Sequence, residues 1–356
     1  MSDVIAVDLG GTNIRAARVD AKGRIVARAK VPTKADEGMQ AVVGRIAGLV
    51  NRLKGPDTAA VGVGTPGVPD PVTGIMRLPA VNIAASAEYP LTGEISRLTG
   101  LPVVADNDGN LAALAEAWLG AGVGEDVVLI FTLGTGIGGG AVINGKVYHG
   151  HHNLVAEFGH VSICCNGRSC PCGGTGCVEA YASAAALGRD AREAVRKLPA
   201  DHPTALLKLC GGVSGIDTLD AKMVCDAVRA GDALACALLD QCCDWLACGM
   251  GSLINAFNPS CVIIGGGMAL AGELITSRVQ KVLDKGRVFA PIWKDCKLRL
   301  AKLGDDAGIL GAARMAQQAL ENKQGRAAPR ATAPLPRSAH ASRKRTARRP
   351  KGRKRR

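Results

Sequence analysis

Two stretches of the chain share one pattern of apolar and polar positions. "VIAVDLGGT", Val4 to Thr12, and "VLIFTLGTG", Val128 to Gly136, are each an apolar run of strand type closing on a polar residue, a leucine and a Gly/Thr turn. Each continues into a second strand, a short turn and a third strand. These are "IRAARVD", "AKGR" and "IVARAK" in the first copy, and "GGGAVI", "NGK" and "VYHG" in the second. Asn144-Gly145 is the signature of a two-residue hairpin. The chain thus contains one strand–glycine turn–strand–strand unit twice, about one domain apart.

The remaining pattern fills in that frame. "LPVVADNDGNLAALAEAWLG" predicts a strand from Pro102 to Ala105, a polar turn, and a helix ending near Gly120. From Ala182 to Ala256 the apolar positions follow helical spacing. "CVIIGGGMALAGELI" reads as a buried strand, Cys261 to Ile264, then Gly265, Gly266 and Gly267 opening a helix. "DDAGILGAARMAQQAL", from Asp305, reads as a closing helix with acids at its start. The expected organisation is a first domain over 1–105 completed by the helix at about 305–320, and a larger α/β domain over 106–304. A tail occupies 324–356.

Composition changes one part of this picture. At 356 residues with 47% hydrophobic residues the chain can bury a sizeable core, and with only 3% aromatics Val, Ile, Leu and Ala must fill it. The net charge of +13 resembles a nucleic-acid signal until it is mapped. Residues 325–356 hold 13 Lys and Arg and no acid, and the rest of the chain balances at 31 basic and 31 acidic residues. The tail is rich in Ala, Pro, Ser and Arg and is expected to be disordered, because it cannot bury enough apolar surface to offset its ordering entropy. No secretion signal opens the sequence, and no apolar run spans a bilayer without Gly or charge, so no membrane role is expected and the expected compartment is the cytoplasm.

Five of the 13 cysteines crowd "GHVSICCNGRSCPCGGTGCVEA", Gly159 to Ala180, between Glu157 and Glu179. An odd total without a secretion signal argues against a disulfide framework and leaves a metal site, a redox site or idle thiols. The eight scattered cysteines sit in apolar contexts, as small hydrophobes do.

The glycine turns suggest phosphate. Glycine lets backbone N–H groups approach an anion closely, and Thr12, Asn13 and Thr135 add side-chain donors. Asp8 is placed to hold magnesium. Other glycine runs fail their context: "GVGTPG" contains Pro66, "GTGIGG" leads into a hairpin, and "GAVINGKV" has Val147 where a P-loop needs Ser or Thr. In "DNDGN" one of Asp106 and Asp108 could cap the helix and the other act as a general base. The residues alone do not choose between them.

With these pieces in view, the chain resembles the ROK family of sugar kinases and related repressors, within the actin-like ATPase superfamily, which implies two actin-like (ribonuclease H-like) α/β domains with a cleft between them. The matching segments are "DLGGTNIRAA", "GVGTPGVPD", "NDGNLAALAE", "TLGTGIGGGAVINGKVYHG", "AEFGH", "CPCGGTGCVEAYAS" and "IIGGG", in family order over Val4 to Ala319. The resemblance implies that Asp108 is the catalytic base and that Asn107, Gly67, Asn82, Glu157, His160 and Glu179 face the sugar. It implies that Asp8, Gly10, Gly11, Thr12 and Asn13 form the first phosphate motif, Thr135 and Gly136 the second, with Gly265–Gly267 at the nucleotide. It places one zinc on His160, Cys170, Cys172 and Cys177, a closed tetrahedral set of the structural kind. Cys164 and Cys165 fall outside that pattern.

The family contains kinases and transcription factors. The repressors carry a winged helix ahead of the first phosphate motif, and this chain begins three residues before its first strand. With Asp108 present, an ATP- and Mg2+-dependent hexose kinase of the glucokinase subgroup is expected, converting glucose to glucose 6-phosphate. N-acetylhexosamine, fructose or allose phosphorylation is the alternative within the family. A sugar-sensing regulator that grips DNA or polyphosphate with its tail is the alternative outside it. Family habit implies a homodimer or a dimer of dimers.

Overall fold

The computed structural model of the chain describes residues 2–323, apart from 81, 82, 85, 152, 153, 200 and 201. The basic tail and Asn82 therefore lie outside the described residues.

Strands β1 (Asp3–Leu9), β2 (Asn13–Val19) and β3 (Ile25–Pro32) form an antiparallel meander. Helix α1 (Gly38–Leu53) returns the chain to β4 (Thr58–Thr65), parallel to β1. A small hairpin, β5 (Val68–Pro69) and β6 (Met76–Leu78), and helix α2 (Leu91–Thr99) lead to β7 (Val103–Asn107), parallel to β4. The first sheet thus has the order β3-β2-β1-β4-β7. Burial follows position in it. β1 is apolar and buried from Val4 through Leu9 apart from Asp8, because helices cover both faces of this central strand. The outer strand β3 alternates half-buried and exposed residues along its whole length.

Helix α3 (Asp108–Leu119) carries the chain to a second sheet. There β8 (Val127–Leu133), β9 (Ile137–Ile143) and β10 (Lys146–Val147) form the second meander. A helical layer follows: α4 (Glu179–Ala182), α5 (Ala184–Arg196), α6 (Ala205–Leu209), α7 (Ala221–Arg229) and α8 (Ala233–Phe257). β11 (Cys261–Gly265), α9 (Glu273–Val282), α10 (Ala290–Trp293) and β12 (Lys297–Leu300) complete the sheet as β10-β9-β8-β11-β12. Both sheets run two antiparallel pairings and then two parallel ones, so the repeat in the sequence is a repeat of topology. Asn144 and Gly145 both take positive φ, 51° and 73°, as the tight hairpin requires.

Helix α11 (Ala307–Lys323) returns to the first sheet and packs on β1, β4 and α3. Its approach is anchored by a bidentate fork from Arg28 to Asp306, with Nη1 to Oδ1 at 2.6 Å and Nη2 to Oδ2 at 2.8 Å. A side chain at Gly62 would collide with the Ala312 carbonyl of α11. The "GVGTPG" glycine thus serves helix-on-sheet packing. Helix α8 is long and apolar enough to cross a membrane by length and composition. Here it carries Asp240 and Asp244 and buries Leu239, Leu246, Met250 and Ile254 in the core of the second half.

Candidate active site

The end of β7 and the start of α3 sort the two aspartates. Strand alternation turns Asp106 inward, where it is 2% exposed. Its Oδ1 accepts the Asn107 N–H at 2.7 Å and Asn110 Nδ2 at 3.0 Å, and its Oδ2 pairs with His149 Nε2 at 2.7 Å. Neither aspartate caps the helix. Asn107 does, accepting the Gly109 N–H on Oδ1 at 2.9 Å, while its Nδ2 donates to the Gly67 carbonyl at 3.3 Å. Asp108 keeps its carboxyl open to the cleft, with Oδ1 accepting the Gly109 N–H at 2.8 Å. Water reaches the tip of this side chain, yet the cleft walls displace most of the solvent around it. That desolvation raises its pKa; the Gly109 N–H opposes the shift and the charge of Asp8 adds to it.

A cavity of about 160 Å³ opens at this point. Asn107, Asp108, Thr132, Gly138, Gly139 and Glu157 are on its wall. The start of α3 lies directly on β9: a side chain at Gly109 would stand 2.7 Å from the Gly139 carbonyl oxygen. Backbone contact at this point brings the helix that starts at Asp108 against the sheet of the second half.

The first glycine turn is closed by Gly10 N–H donating to the Asn13 carbonyl at 3.0 Å. Buried Thr33 braces it, with Oγ1 donating to the Gly10 carbonyl at 2.6 Å and its N–H to the Thr12 carbonyl at 2.9 Å. The carbonyls of Gly10, Thr12 and Asn13 are thus engaged, and Gly11 and Thr12 stay exposed. Asp8 at its base accepts Arg15 Nε on Oδ2 at 3.0 Å. In the second turn Gly134 N–H donates to the Gly136 carbonyl at 2.9 Å, and Thr135 is exposed. Glu179 Oε2 accepts the Ile137 N–H at 2.7 Å and lies where a side chain at Gly136 would have to go. Gly265 ends β11. Gly266, at φ 83°, lies against the Leu133 backbone, and Gly267 opens a short 3-10 turn, so this glycine run and the second turn meet.

The cysteine-rich loop brings four ligand atoms together. His160, Cys170, Cys172 and Cys177 have donor atoms all within 4.8 Å of one another. Cys172 and Cys177 sulfurs are 3.7 Å apart, and Cys170 Sγ is 3.7 Å from His160 Nδ1. A tetrahedron with Zn–S of about 2.3 Å and Zn–N of about 2.0–2.1 Å has edges of roughly 3.5–3.8 Å, so the donor set fits zinc. Burial and the neighbouring thiols push Cys177 up to about 12. Cys164 and Cys165 lie outside this group. His160 turns Nε2 the other way, 3.9 Å from Glu157 Oε2. The segment is pinned from below by Phe158, 5.0 Å from Phe131 and 6.1 Å from Phe257 between ring centroids, which gathers three of the chain's four phenylalanines under one turn. Arg168 fastens the loop to α4 and α5, stacking 4.7 Å over Tyr181 and reaching Asp190 at 3.0 Å.

Three residues of this site have no role assigned to them by the motifs: His149, Thr33 and Arg15. His149 and Thr33 act through partners distant in sequence, and local spacing gives no sign of such a pairing, whereas Arg15 faces Asp8 across the β1–β2 hairpin.

The model of the ROK family matches residues 4–319. A glucokinase of Thermotoga maritima is 39% identical over 312 residues, covering 87% of this chain and 96% of its own. The crystal structure of a ROK hexokinase from Thermus thermophilus is 34% identical with a TM-score of 0.74, over 90% of this chain and 99% of that one. That of a ROK family glucokinase from Streptomyces griseus, in complex with glucose and AMPPNP, is 36% identical with a TM-score of 0.72, over 89% and 99%.

Proposed function

The chain belongs to the ROK family, and on that premise we propose that it moves the γ-phosphoryl group of ATP onto the 6-hydroxyl of glucose. It is an ATP-dependent hexose kinase. Glucose as the hexose is our reading, supported by the glucokinases of Thermotoga and Streptomyces. The observation that carries it is the shared cavity: a free carboxylate, Asp108, opens on it with Glu157 and with strand residues flanking the second glycine turn, while Asp106 is fully engaged elsewhere.

In this reading Asp108 takes the proton of the sugar hydroxyl as its oxygen bonds to the γ-phosphorus and the bond to the leaving ADP breaks. A raised pKa makes it a stronger base than an ordinary aspartate. Asn107, Glu157, His160 and Glu179 hold the other hydroxyls. The exposed backbone of both glycine turns holds phosphates through N–H groups. Asp8 would hold Mg2+ with the phosphates as its other ligands, a usual arrangement for this ion, which supplies charge neutralisation there. Zinc on His160, Cys170, Cys172 and Cys177 would fix the spacing of Glu157, His160 and Glu179.

Purified protein with ATP, Mg2+ and a panel of glucose, mannose, fructose, allose and N-acetylhexosamines tests the proposal. Glucose should give the highest kcat/KM. A tenfold preference for another sugar corrects the substrate, and no ADP formed with any sugar overturns the reading. One observation favours an added role for the tail: 13 basic residues and no acid over 325–356 make a polyanion tether with steep salt dependence.

A further inference from the structure

Asp106 poses a question that the proposed chemistry leaves untouched. It is a carboxylate 2% exposed, one residue from the helix cap and two from the base, and it takes no part in proton transfer. Its Oδ1 is spent on the α3 start, gripping the Asn107 N–H and the buried Asn110 amide. Its Oδ2 would be an unsatisfied buried acceptor without His149, whose side chain is one third exposed and comes from the other sheet.

The route by which His149 arrives is informative. β10 ends at Val147, and the Tyr148 N–H continues the ladder by one bond to the Ala141 carbonyl at 2.8 Å. The chain then leaves the sheet, and the imidazole of the next residue reaches back to the end of β7, 43 residues away in sequence. The third strand of the second meander is thus shorter than the first meander's, and the residue released by that shortening makes the bond.

We propose that His149 is a positioning residue for phosphoryl transfer: by donating Nε2–H to Asp106 it holds the carboxylate that fixes the Asn107 backbone, and so aims Asp108. The inference rests on Asp108 being the base. Without the donor, Asp106 must protonate or rotate toward another partner, and either change weakens its hold on the Asn107 N–H. A displacement of about 1 Å at a reacting group can cost a hundredfold in rate. Nucleotide binding, on the glycine turns, should not respond.

The test uses two amides that differ by one methylene. Glutamine at 149 places its Nε2 close to the imidazole Nε2 and can still donate to Asp106; asparagine cannot reach. Expected is a kcat for His149→Gln within about threefold of the parent and for His149→Asn lower by about tenfold or more. KM for ATP should stay within about twofold in both, a split that general destabilisation does not produce. Equal kcat values for the two variants overturn the proposal, as does a loss confined to KM for ATP. The same pair in an Asp108→Asn background separates this inference from the reading beneath it. If His149 works through Asp108, His149→Asn costs nothing further there. If it still costs its full tenfold, the positioning role is wrong although the base stands; if Asp108→Asn alone keeps its kcat, the base assignment is what has failed.

Discussion

Replacing Asp108 by asparagine removes a proton acceptor and leaves its surroundings standing. The Gly109 N–H bonds to Asn107 Oδ1 at 2.9 Å as well as to Asp108 Oδ1 at 2.8 Å, and an amide oxygen can accept the second bond as a carboxylate does. The helix cap therefore survives. Loss of general-base catalysis should lower kcat by roughly 10²- to 10⁴-fold, about 3–5 kcal/mol in the barrier. Stability should move the other way. The folded pKa of Asp108 is raised, chiefly by burial in the cleft, so folding favours the protonated acid. As pH rises from the unfolded value of about 3.9 through the folded one, ionisation in the desolvated site erodes stability, and above the folded value that cost is fully present. The amide is never ionised. Asp108→Asn should thus melt at or above the parent at pH 7.5, with the gap closing as pH falls toward the ordinary carboxylate range. A coupled ADP assay at saturating ATP and glucose gives kcat, calorimetric titration gives glucose affinity, and melting across pH gives the sign. A variant retaining more than a tenth of kcat would refute the base assignment, and one that melts several degrees lower at pH 7.5 would refute the desolvation argument.

Other expectations follow from the same geometry. The purified protein should carry about one zinc per chain by elemental analysis, and Cys172→Ser should lose it together with thermal stability and glucose affinity, since ligand binding and loop folding are coupled. Active protein free of zinc would end that assignment. Gly136→Ala should push the Glu179 carboxylate off the Ile137 N–H, costing about 1.5–3 kcal/mol in stability for a bond to a charged acceptor, read by denaturant melts. Ending the chain at Lys323 should leave glucose phosphorylation intact and abolish retention on DNA-cellulose at low salt. Failure of the full-length protein to bind at low ionic strength would remove the tether.

The repeat was legible because it is local: each meander needs only alternating apolar runs and a glycine turn, and Asn144-Gly145 can hardly be anything but a tight hairpin. The closing helix was legible for the same reason, although it begins at Ala307 and the acids before it form a 3-10 turn in which Asp306 serves Arg28. Asp106 and Asp108 were not separable by pattern. They differ because β7 runs on to Asn107, two residues beyond Ala105, and the strand's alternation points one inward before the helix redirects the other. His149 as the partner of Asp106, and Thr33 under the first glycine turn, depend on chain returning from far away, which no window of sequence contains. The four zinc-fitting residues were assigned by resemblance; spacing alone left a redox pair open.

Glu179 stands two residues after Cys177, and one of its oxygens holds the Ile137 amide at the exit of the second glycine turn. One carboxylate thereby belongs at once to the loop that would greet the sugar and to the turn that would greet the nucleotide. Whatever work a hexose does on Glu179 is work done on the resting shape of that turn. Detailed balance then requires the nucleotide to return the same factor to the hexose. With sugar and nucleotide bound as proposed, the two dissociation constants would form a single 2 × 2 table of affinities, its off-diagonal entry tied to one hydrogen bond.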